Sequence, residues 1–119
     1  MQDIKVVDLS HALAGPYCTM LLADMGAEVI KIEHPHGDHF RAAISGGYNA
    51  AVNRNKYGIC LDLKKDAAKE VVRRLIKRGD VVMESFTPGT IDRLGLGYDV
   101  AKEINPKIIF CSISGYGQT

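Results

Sequence analysis

The sequence has few cysteines and no excess of either charge. Cys18, Cys60 and Cys111 are widely spaced and form no CxxC pair, which disfavours a disulfide framework and a zinc site. Fifteen lysine and arginine residues against 14 aspartate and glutamate residues leave a formal net charge of +1. The chain as a whole therefore has no field that would attract nucleic acid or an anionic membrane, and any anion site must be local.

Long apolar runs and familiar catalytic motifs are also missing. No apolar run approaches the roughly 18 residues that cross a bilayer, and the N-terminus lacks the basic region and apolar run of a signal peptide. We therefore expect a cytoplasmic protein. No G-x-S-x-G, HExxH, P-loop or protein-kinase signature occurs. The first turn, SHALAGP, has one glycine where the dinucleotide motif G-x-G-x-x-G has three, so a conventional NAD or FAD site is disfavoured, although Glu33 stands where a carboxylate could bind a ribose.

The sequence does contain five apolar, β-branched segments separated by helical or loop segments. They predict strands over residues 4–10, 27–33, 58–63, 80–85 and 107–114. Strands that alternate with helices indicate a parallel sheet covered on both faces. We therefore predict an α/β fold, a Rossmann-like parallel sheet with helices on both faces. Residues 1–119 are expected to form a single domain or a piece of a larger one, with no second domain in this chain.

Proline, glycine and aspartate indicate where the helices begin and end. Pro16 is predicted to occupy a first helical position, and Gly26 supplies the end of that helix. Asp66 is predicted to cap a second long helix. Residues 34–57 are predicted to form a long loop, and residues 87–106 one or two short helices.

Basic and amide side chains are concentrated near the expected carboxyl ends of the strands. In an open parallel sheet the ligand crevice lies outside these ends, so the loops after the first, second and fourth strands are expected to line one site. The helix start after the first strand also offers backbone N–H groups to an anion, and phosphate is the natural partner. The alternative is a solvated, charged loop. The side chains concerned are those of Lys31, His34, His36, His39, Arg41, Asn53, Arg54, Asn55 and Lys56.

Three further features are ambiguous from the residues alone. The segment HPHGDH carries three histidines and an aspartate, but its proline and glycine prevent helical pairing of ligands, so we predict no metal site. Asp8 and Asp62 lie in or beside apolar strands, where a carboxylate more often fastens a loop or backbone than performs chemistry. Phe86 follows the fourth strand and is either part of the core or a platform for a base or a thioester chain.

Four segments of the sequence carry a family resemblance. They are DLSHALAGPYCTMLLADMGAEVIKIEHP, NRNKYGICLDLK, GDVVMESFTPGTIDRLGLGYD and INPKIIFCSISGYGQT. In order and approximate spacing they resemble the N-terminal portion of the family III CoA-transferases, a family that includes carnitine and bile-acid CoA-transferases, formyl-CoA transferases and 2-methylacyl-CoA racemases. The resemblance implies a coenzyme A site on the N-terminal part of a Rossmann-like domain, with an acyl-CoA and a carboxylic acid as substrates and no metal. It also implies an interlocked homodimer of the full-length protein.

The resemblance assigns CoA contacts to the positions that match the family's motifs. They are Ala12, Leu13, Ala14, His34, Leu61, Asp62, Leu63, Lys64, Ser85, Phe86, Thr87 and Arg93. Two of these positions depart from the common pattern. His34 stands where many members have arginine, whose fixed bidentate guanidinium holds a phosphate more firmly than a neutral imidazole does. Ser85 replaces a common asparagine and offers fewer hydrogen bonds.

The resemblance also predicts the chemistry of the whole protein. The family's transferases use an aspartate nucleophile, which forms an acyl anhydride and then an enzyme thioester, whereas the racemases use a histidine and an aspartate to move the α-proton. Both sites lie beyond the segment that matches SISGYGQT, so no catalytic residue is assigned here, and the chain alone is expected to bind but not to turn over. The segment ESFTPG is more similar to the ENFRPG of transferases than to the EPFRPG of racemases, which favours CoA transfer. A racemase and a non-catalytic CoA-binding module are the alternatives.

Overall fold

The computed structural model describes residues 1–43 and 47–119. Within these ranges the chain forms five strands: β1 (Lys5–Leu9), β2 (Glu28–Glu33), β3 (Tyr57–Cys60), β4 (Val81–Glu84) and β5 (Ile109–Ser112). Six helices lie between them: α1 (Ala14–Asp24), α2 (Phe40–Ala43), α3 (Gly47–Asn53), α4 (Asp66–Arg78), α5 (Thr90–Arg93) and α6 (Tyr98–Ile104). Each strand overlaps one of the five predicted segments.

The five strands form one parallel sheet in the order β3-β2-β1-β4-β5. Val6 of β1 is in register with Val29 of β2 on one side and with Val81 of β4 on the other. The strand order therefore reverses between β1 and β4, which makes their carboxyl ends a topological switch point, where open α/β sheets bind ligands. The predicted Rossmann-like sheet is confirmed.

The two faces of the sheet are covered by different helices, as predicted. On one face, Val7 and Leu9 of β1 belong to a buried cluster with Val72 and Ile76 of α4, and this cluster extends to residues of α5 and α6. On the other face, a smaller cluster joins apolar residues of β1 and β2 to Ala23 of α1. Alternate residues of β1 thus point to opposite faces, as the period of a strand requires.

The predicted loop over residues 34–57 is wrong, because helices α2 and α3 lie within it. Residues 44–46 of that prediction lie outside the described residues. Helix α3 packs against α1 and buries Asn49 and Val52. Asn53 Nδ2 also donates to the Asn49 carbonyl oxygen at 2.9 Å within the helix. A buried face of one asparagine and one valine is too short and too polar to give an amphipathic pattern.

The ends of two helices differ from the prediction. Helix α1 begins at Ala14, so Pro16 occupies its third position, where the missing N–H has no intrahelical partner to lose. Asp66 is the first residue of α4 rather than its cap. Lys65 precedes it without a side-chain capping bond. The Asp66 carboxylate lies near the positive end of the helix dipole and 3.8 Å from Lys69 Nζ. Gly26 closes α1 as predicted, with a φ of +97°.

The later elements agree with the prediction in kind. Two short helices, α5 and α6, occupy the segment for which one or two were predicted. Strand β3 ends at Cys60, three residues early, because Asp62 turns the chain by accepting the Lys64 N–H at 3.1 Å. None of the helices in the described ranges has the length and hydropathy of a membrane span.

Candidate functional site

The turn between β1 and α1 is fastened to two distant segments. The His11 N–H donates to Ser85 Oγ at 2.8 Å, and the Ala12 N–H donates to the Asp38 carboxylate at 3.2 Å. Ala12 has a φ of +64°, in the left-handed region that an alanine rarely adopts. Two N–H groups that could have faced an anion are therefore used within the protein.

A glycine lets α1 approach the end of β1 closely. Gly15 is buried, and a Cβ at this position would collide with the side chain of Ser10. The first turn of α1 therefore lies directly over the end of the strand. The single glycine of SHALAGP serves helix packing here, which is one of the three tasks that a dinucleotide motif divides among its glycines.

Two adjoining pockets open at the carboxyl ends of the strands. The smaller has a volume of about 240 Å³, has mostly apolar walls and lies beyond β2 and β3, where residues 32–34 and 61–64 line it. The larger has a volume of about 510 Å³ and lies beyond β1, β4 and β5, where residues 11–15, 85–88 and 113–116 line it. The site predicted at the ends of the first, second and fourth strands thus draws on all five.

His11 and Phe86 line both pockets and form the wall between them. Their ring centroids are 5.1 Å apart in an edge-to-face arrangement. The Glu84 carboxylate fixes the loop by accepting the Phe86 N–H at 2.8 Å. Phe86 also packs against the larger core cluster. The sequence left open whether Phe86 is a core residue or part of a ligand pocket, and in the structure it both packs in the core and lines the pockets.

The surroundings of His11 favour the neutral form of its imidazole. Burial lowers the pKa of His11 below its ordinary value, and the nearby Lys31 ammonium lowers it further, against the opposing effect of Asp38. A neutral ring presents one donor and one acceptor to a ligand rather than a charge. Any contact that His11 makes with a ligand in either pocket is therefore a hydrogen bond or a packing contact.

The structure brings eleven of the twelve predicted site residues to these two pockets. Those in the smaller pocket are His34, Leu61, Asp62, Leu63, Lys64 and Phe86. Those in the larger are Ala12, Leu13, Ala14, Ser85, Phe86 and Thr87. Arg93 lines neither pocket. Its guanidinium is exposed and donates to Thr90 Oγ1 at 2.9 Å, next to the rim of the smaller pocket that Thr90 helps to form.

Several of these residues have partners within the protein. His34 Nδ1 accepts the His36 N–H at 3.2 Å, and the two rings lie 4.9 Å apart. The Asp62 carboxylate is part of the turn after β3, as expected for a residue that fastens backbone. Lys64 is exposed at the rim of the smaller pocket. Among the predicted residues, Lys64 thus offers its charge directly to the opening of that pocket.

Most of the basic cluster does not form the phosphate site that the sequence suggested. Arg41 makes a bidentate contact with Glu33, at 2.6 and 2.8 Å, which lowers the pKa of Glu33 and occupies a carboxylate that could have bound a ribose. Arg54 pairs with Asp24 at the surface. The Lys31 and Lys56 side chains are buried and paired as well. These four cations are thus engaged within the protein, whereas Arg41, Arg54 and the three histidines of the cluster are also exposed, as the alternative of a solvated, charged loop expects.

A fully buried polar network lies beneath α1. Lys56 Nζ donates to the Asp8 carboxylate at 3.0 Å and to Thr19 Oγ1 at 2.7 Å, and Ser10 also donates to Asp8. Burial alone would raise the pKa of Asp8, but Lys31, Lys56 and the hydrogen bonds from Ser10 and Thr19 outweigh it, and this pKa lies below its ordinary value. Asp8 therefore fastens structure, as predicted, and is out of reach of both pockets.

Sequence reasoning missed His11 and residues 113–116 as pocket residues. His11 lies two positions after the end of β1 and immediately before Ala12, the first residue that the family resemblance assigned. Its place at the carboxyl end of a central parallel strand was the available signal. Residues 113–116 carry the glycine of a strand-to-turn junction, but nothing in the sequence relates them to β4. Within residues 1–43 and 47–119, no three metal-binding side chains lie together.

The fold and the pockets define an α/β protein with two adjoining pockets at its topological switch point. Comparison with known proteins identifies the family. The model of CoA-transferase family III matches residues 1–119. The chain is 50% identical to an acyl-CoA transferase of Fusarium pseudograminearum, over 100% of this chain and 29% of that protein. It is 45% identical to a succinyl-CoA:mesaconate CoA-transferase of Haloarcula hispanica, over 98% of this chain and 32% of that protein.

A solved structure agrees with this relationship. The crystal structure of a CAIB/BAIF family protein from Brucella suis superposes with a TM-score of 0.93 at 43% identity, covering 98% of this chain and 33% of that one. The chain belongs to CoA-transferase family III. It spans about a third of the length of the relatives that it matches.

Proposed function

We propose that the protein is a CoA-transferase that moves CoA between an acyl-CoA and a carboxylic acid, and that residues 1–119 supply part of its CoA site. One observation carries the proposal. Eleven of the twelve residues that the family resemblance assigns to CoA line two pockets that share a wall. A site of two adjoining pockets suits CoA, since that ligand joins a flat base and phosphates to a long pantetheine arm.

The character of the two pockets supports this assignment. The smaller has mostly apolar walls and an edge-on aromatic ring, which suit a base, and Lys64 and His34 at its rim suit the phosphates. The larger is open and runs past Ala12 and Ala14, small residues that leave room for an extended chain. The base and the pantetheine arm would then lie on opposite sides of the wall that His11 and Phe86 form.

The proposed chemistry requires a nucleophile outside residues 1–119. An aspartate would attack the thioester carbonyl of the acyl-CoA, form an acyl anhydride and release the CoA thiolate. The thiolate would then attack the aspartyl carbonyl of the anhydride, which gives an enzyme thioester and releases the donor carboxylate. The acceptor carboxylate would repeat these two steps in reverse, taking CoA and freeing the aspartate. The two carboxylates in or beside the apolar strands are unsuited to this role. Asp8 is buried and ion-paired, and Asp62 is held in a turn. The described residues therefore contribute binding rather than covalent chemistry.

Transfer is favoured over the alternatives. The two relatives named above are CoA-transferases, which supports transfer over the racemisation that the same family also carries out. A non-catalytic CoA-binding module remains the third candidate and is separated from the others by an assay of turnover. We further propose that the full-length protein is a cytoplasmic, interlocked homodimer, as the resemblance implies.

The binding site is tested by filling the larger pocket. Ala14 is exposed in the first turn of α1 and lines this pocket. In the full-length protein, Ala14→Trp should raise the dissociation constant of CoA at least about tenfold, measured by titration calorimetry, because the indole occupies the space of the pantetheine arm. Ala67→Trp is the matched control. Ala67 is also exposed in a first helical turn, but it lines neither pocket.

The assay for function accompanies the titration. The wild-type protein is incubated with succinyl-CoA and mesaconate or other carboxylic acids, and a new acyl-CoA is sought by chromatography. Binding of CoA with formation of a new acyl-CoA supports the transferase. Binding with conversion of one 2-methylacyl-CoA epimer into the other supports the racemase, and binding without turnover supports the module. Equal affinity in Ala14→Trp and Ala67→Trp would remove the larger pocket from the CoA site.

A further inference from the structure

Three consecutive residues of the turn after β1 are each fastened by a side chain from another part of the chain. Lys31 Nζ donates to the Ser10 carbonyl oxygen at 2.7 Å. The next two residues donate their N–H groups, one to Ser85 Oγ at 2.8 Å and the other to the Asp38 carboxylate at 3.2 Å. We call this set of three contacts the turn clamp. It joins the turn to β2, to the loop after β2 and to the loop after β4.

Asp38 is the central member of the turn clamp. It is 4% exposed, and its carboxylate accepts the N–H groups of both Ala12 and Phe40, the latter at 3.0 Å. Lys31 Nζ lies 3.6 Å from the same carboxylate. One buried carboxylate thus neutralises the lysine that fastens Ser10, accepts the turn's own N–H, and is itself fixed by the start of α2.

The turn needs such a partner, because Ala12 has its φ at +64°. A non-glycine residue in this region costs about 1 kcal/mol or more and persists only where its surroundings hold it. The N–H of Ala12 is held by Asp38, which lines neither pocket. Without that acceptor, the backbone of residues 11–14 would be free to return to commoner conformations.

We infer that Asp38 is a positioning residue for the CoA site and acts through the backbone of Ala12. This inference rests on the proposed function. Asp38 lines neither pocket, whereas residues 11–14, whose backbone it holds, form one wall of the larger pocket. Its carboxylate therefore shapes the site without contact with the ligand. Loss of the carboxylate weakens CoA binding by loosening this wall, in addition to any effect on stability.

The test compares three variants of the full-length protein by hydrogen exchange and by CoA titration. Asp38→Ala removes both acceptor oxygens. Asp38→Asn is the conservative variant and keeps one. Asp24→Ala is the matched control, because Asp24 is another ion-paired carboxylate, bonded to Arg54 and Asn55, and lies in neither pocket. All measurements are made at a temperature at which circular dichroism finds each variant folded.

The expected result is graded. In Asp38→Ala without ligand, the amides of residues 11–14 exchange faster than in the wild type, and the dissociation constant of CoA rises about tenfold. In Asp38→Asn, the rise is about threefold, because one oxygen still accepts a hydrogen bond. Asp24→Ala changes neither quantity. If Asp38→Ala does not fold, Asp38→Asn decides, and wild-type affinity in that variant overturns the inference.

The remaining outcomes separate the inference from the proposed function. Faster exchange in Asp38→Ala with unchanged CoA affinity overturns the positioning role, because the turn then loosens without consequence for the ligand. If Asp38→Ala changes neither the amide exchange of residues 11–14 nor the affinity for CoA, Asp38 does not hold the turn and the inference is overturned. A wild-type protein that does not bind CoA overturns the proposed function, and the inference with it.

Discussion

The two faces of the sheet are stabilised in different ways. Among the residues that the structure describes, ten buried apolar residues form one cluster on the face covered by α4, α5 and α6. On the face covered by α1, the apolar cluster has four buried residues in the same described ranges, and the space beneath the helix holds the buried Asp8–Lys56 pair and its hydrogen bonds. The first face gains its stability by excluding water. The second depends on hydrogen bonds or ion pairs for every buried polar group. The turn between β1 and α1 is continuous with this second face.

This comparison predicts that the largest loss of stability comes from breaking the polar network. Asp8→Ala leaves Lys56 and Thr19 buried beside an empty space, and removal of one partner of a buried ion pair costs about 3–5 kcal/mol. We expect a loss of this size in the free energy of unfolding, measured in urea. The double variant Asp8→Ala, Lys56→Met should recover part of the loss, because it removes the unpaired charge. If the free energy of unfolding of Asp8→Ala lies within about 1 kcal/mol of the wild-type value, the second face does not depend on its buried polar network.

The pH dependence of stability provides the control for the Asp8 prediction. The pKa of Asp8 is lowered in the folded protein, so its contribution to stability is present above the unfolded value of about 3.9 and is lost as the pH falls through the lower folded value. The wild type should therefore lose more stability than Asp8→Ala when the pH is lowered through that window. Equal losses in the two proteins would assign the acid sensitivity to other carboxylates.

On the apolar face, an intermediate loss is expected from a cavity. Ile76 lies in α4, has no exposed surface and belongs to the larger cluster. Ile76→Ala should lower the free energy of unfolding by about 2–5 kcal/mol, with no change in its dependence on pH. Lys77→Ala, at the exposed next position of the same helix, should stay within about 0.5 kcal/mol of the wild type. A pH-dependent loss in Ile76→Ala would mean that the two faces are not independent.

The smallest effect is expected on the outer side of α1. Four large apolar residues recur there at every fourth position and are 42–55% exposed: Leu13, Tyr17, Leu21 and Met25. In the 119-residue chain, Leu21→Gln should change the free energy of unfolding by no more than about 0.5 kcal/mol. Met20→Gln, one position away but 2% exposed, should be strongly destabilising. A similar loss in both would show that this outer stripe contributes to the fold.

The sequence predicted those parts of the fold whose signals are local. The β-branched run of β1 and the glycine after α1 identified their elements without knowledge of the rest of the chain. Helix α3 was missed because its buried face consists of Asn49 and Val52, and its stability comes from packing against α1 rather than from its own pattern. The first turns of α1 and α4 were misplaced by two residues or fewer, since proline and aspartate are each acceptable at more than one position of a first turn.

The candidate site, like the fold, could be predicted from the sequence only where the signal is local. Phe86 and Leu61 were identified through segments of the family resemblance, and the fold brings both to one pocket. The partners of the basic residues were not predictable. The roles of Lys56 and Asp38 depend on residues 48 and 26 positions away, and a sequence pattern does not reveal which carboxylate a lysine will meet. Charge that looked available for phosphate was thus already neutralised within the protein.

The strand order has a consequence for how the site forms during folding. Strands β1, β2 and β3 are neighbours in the sheet and follow one another along the chain. Strand β4 also pairs with β1 but lies far from it in sequence: His11 and Ser85, which are hydrogen-bonded just beyond these two strands, are 74 positions apart. Closing so long a loop is entropically expensive, and pairing of this kind slows folding. We expect the β1–β2–β3 half to form first, so that the pocket wall of His11 and Phe86 assembles only when the second half docks. Acquisition of ligand affinity would then report the last step of folding rather than the first.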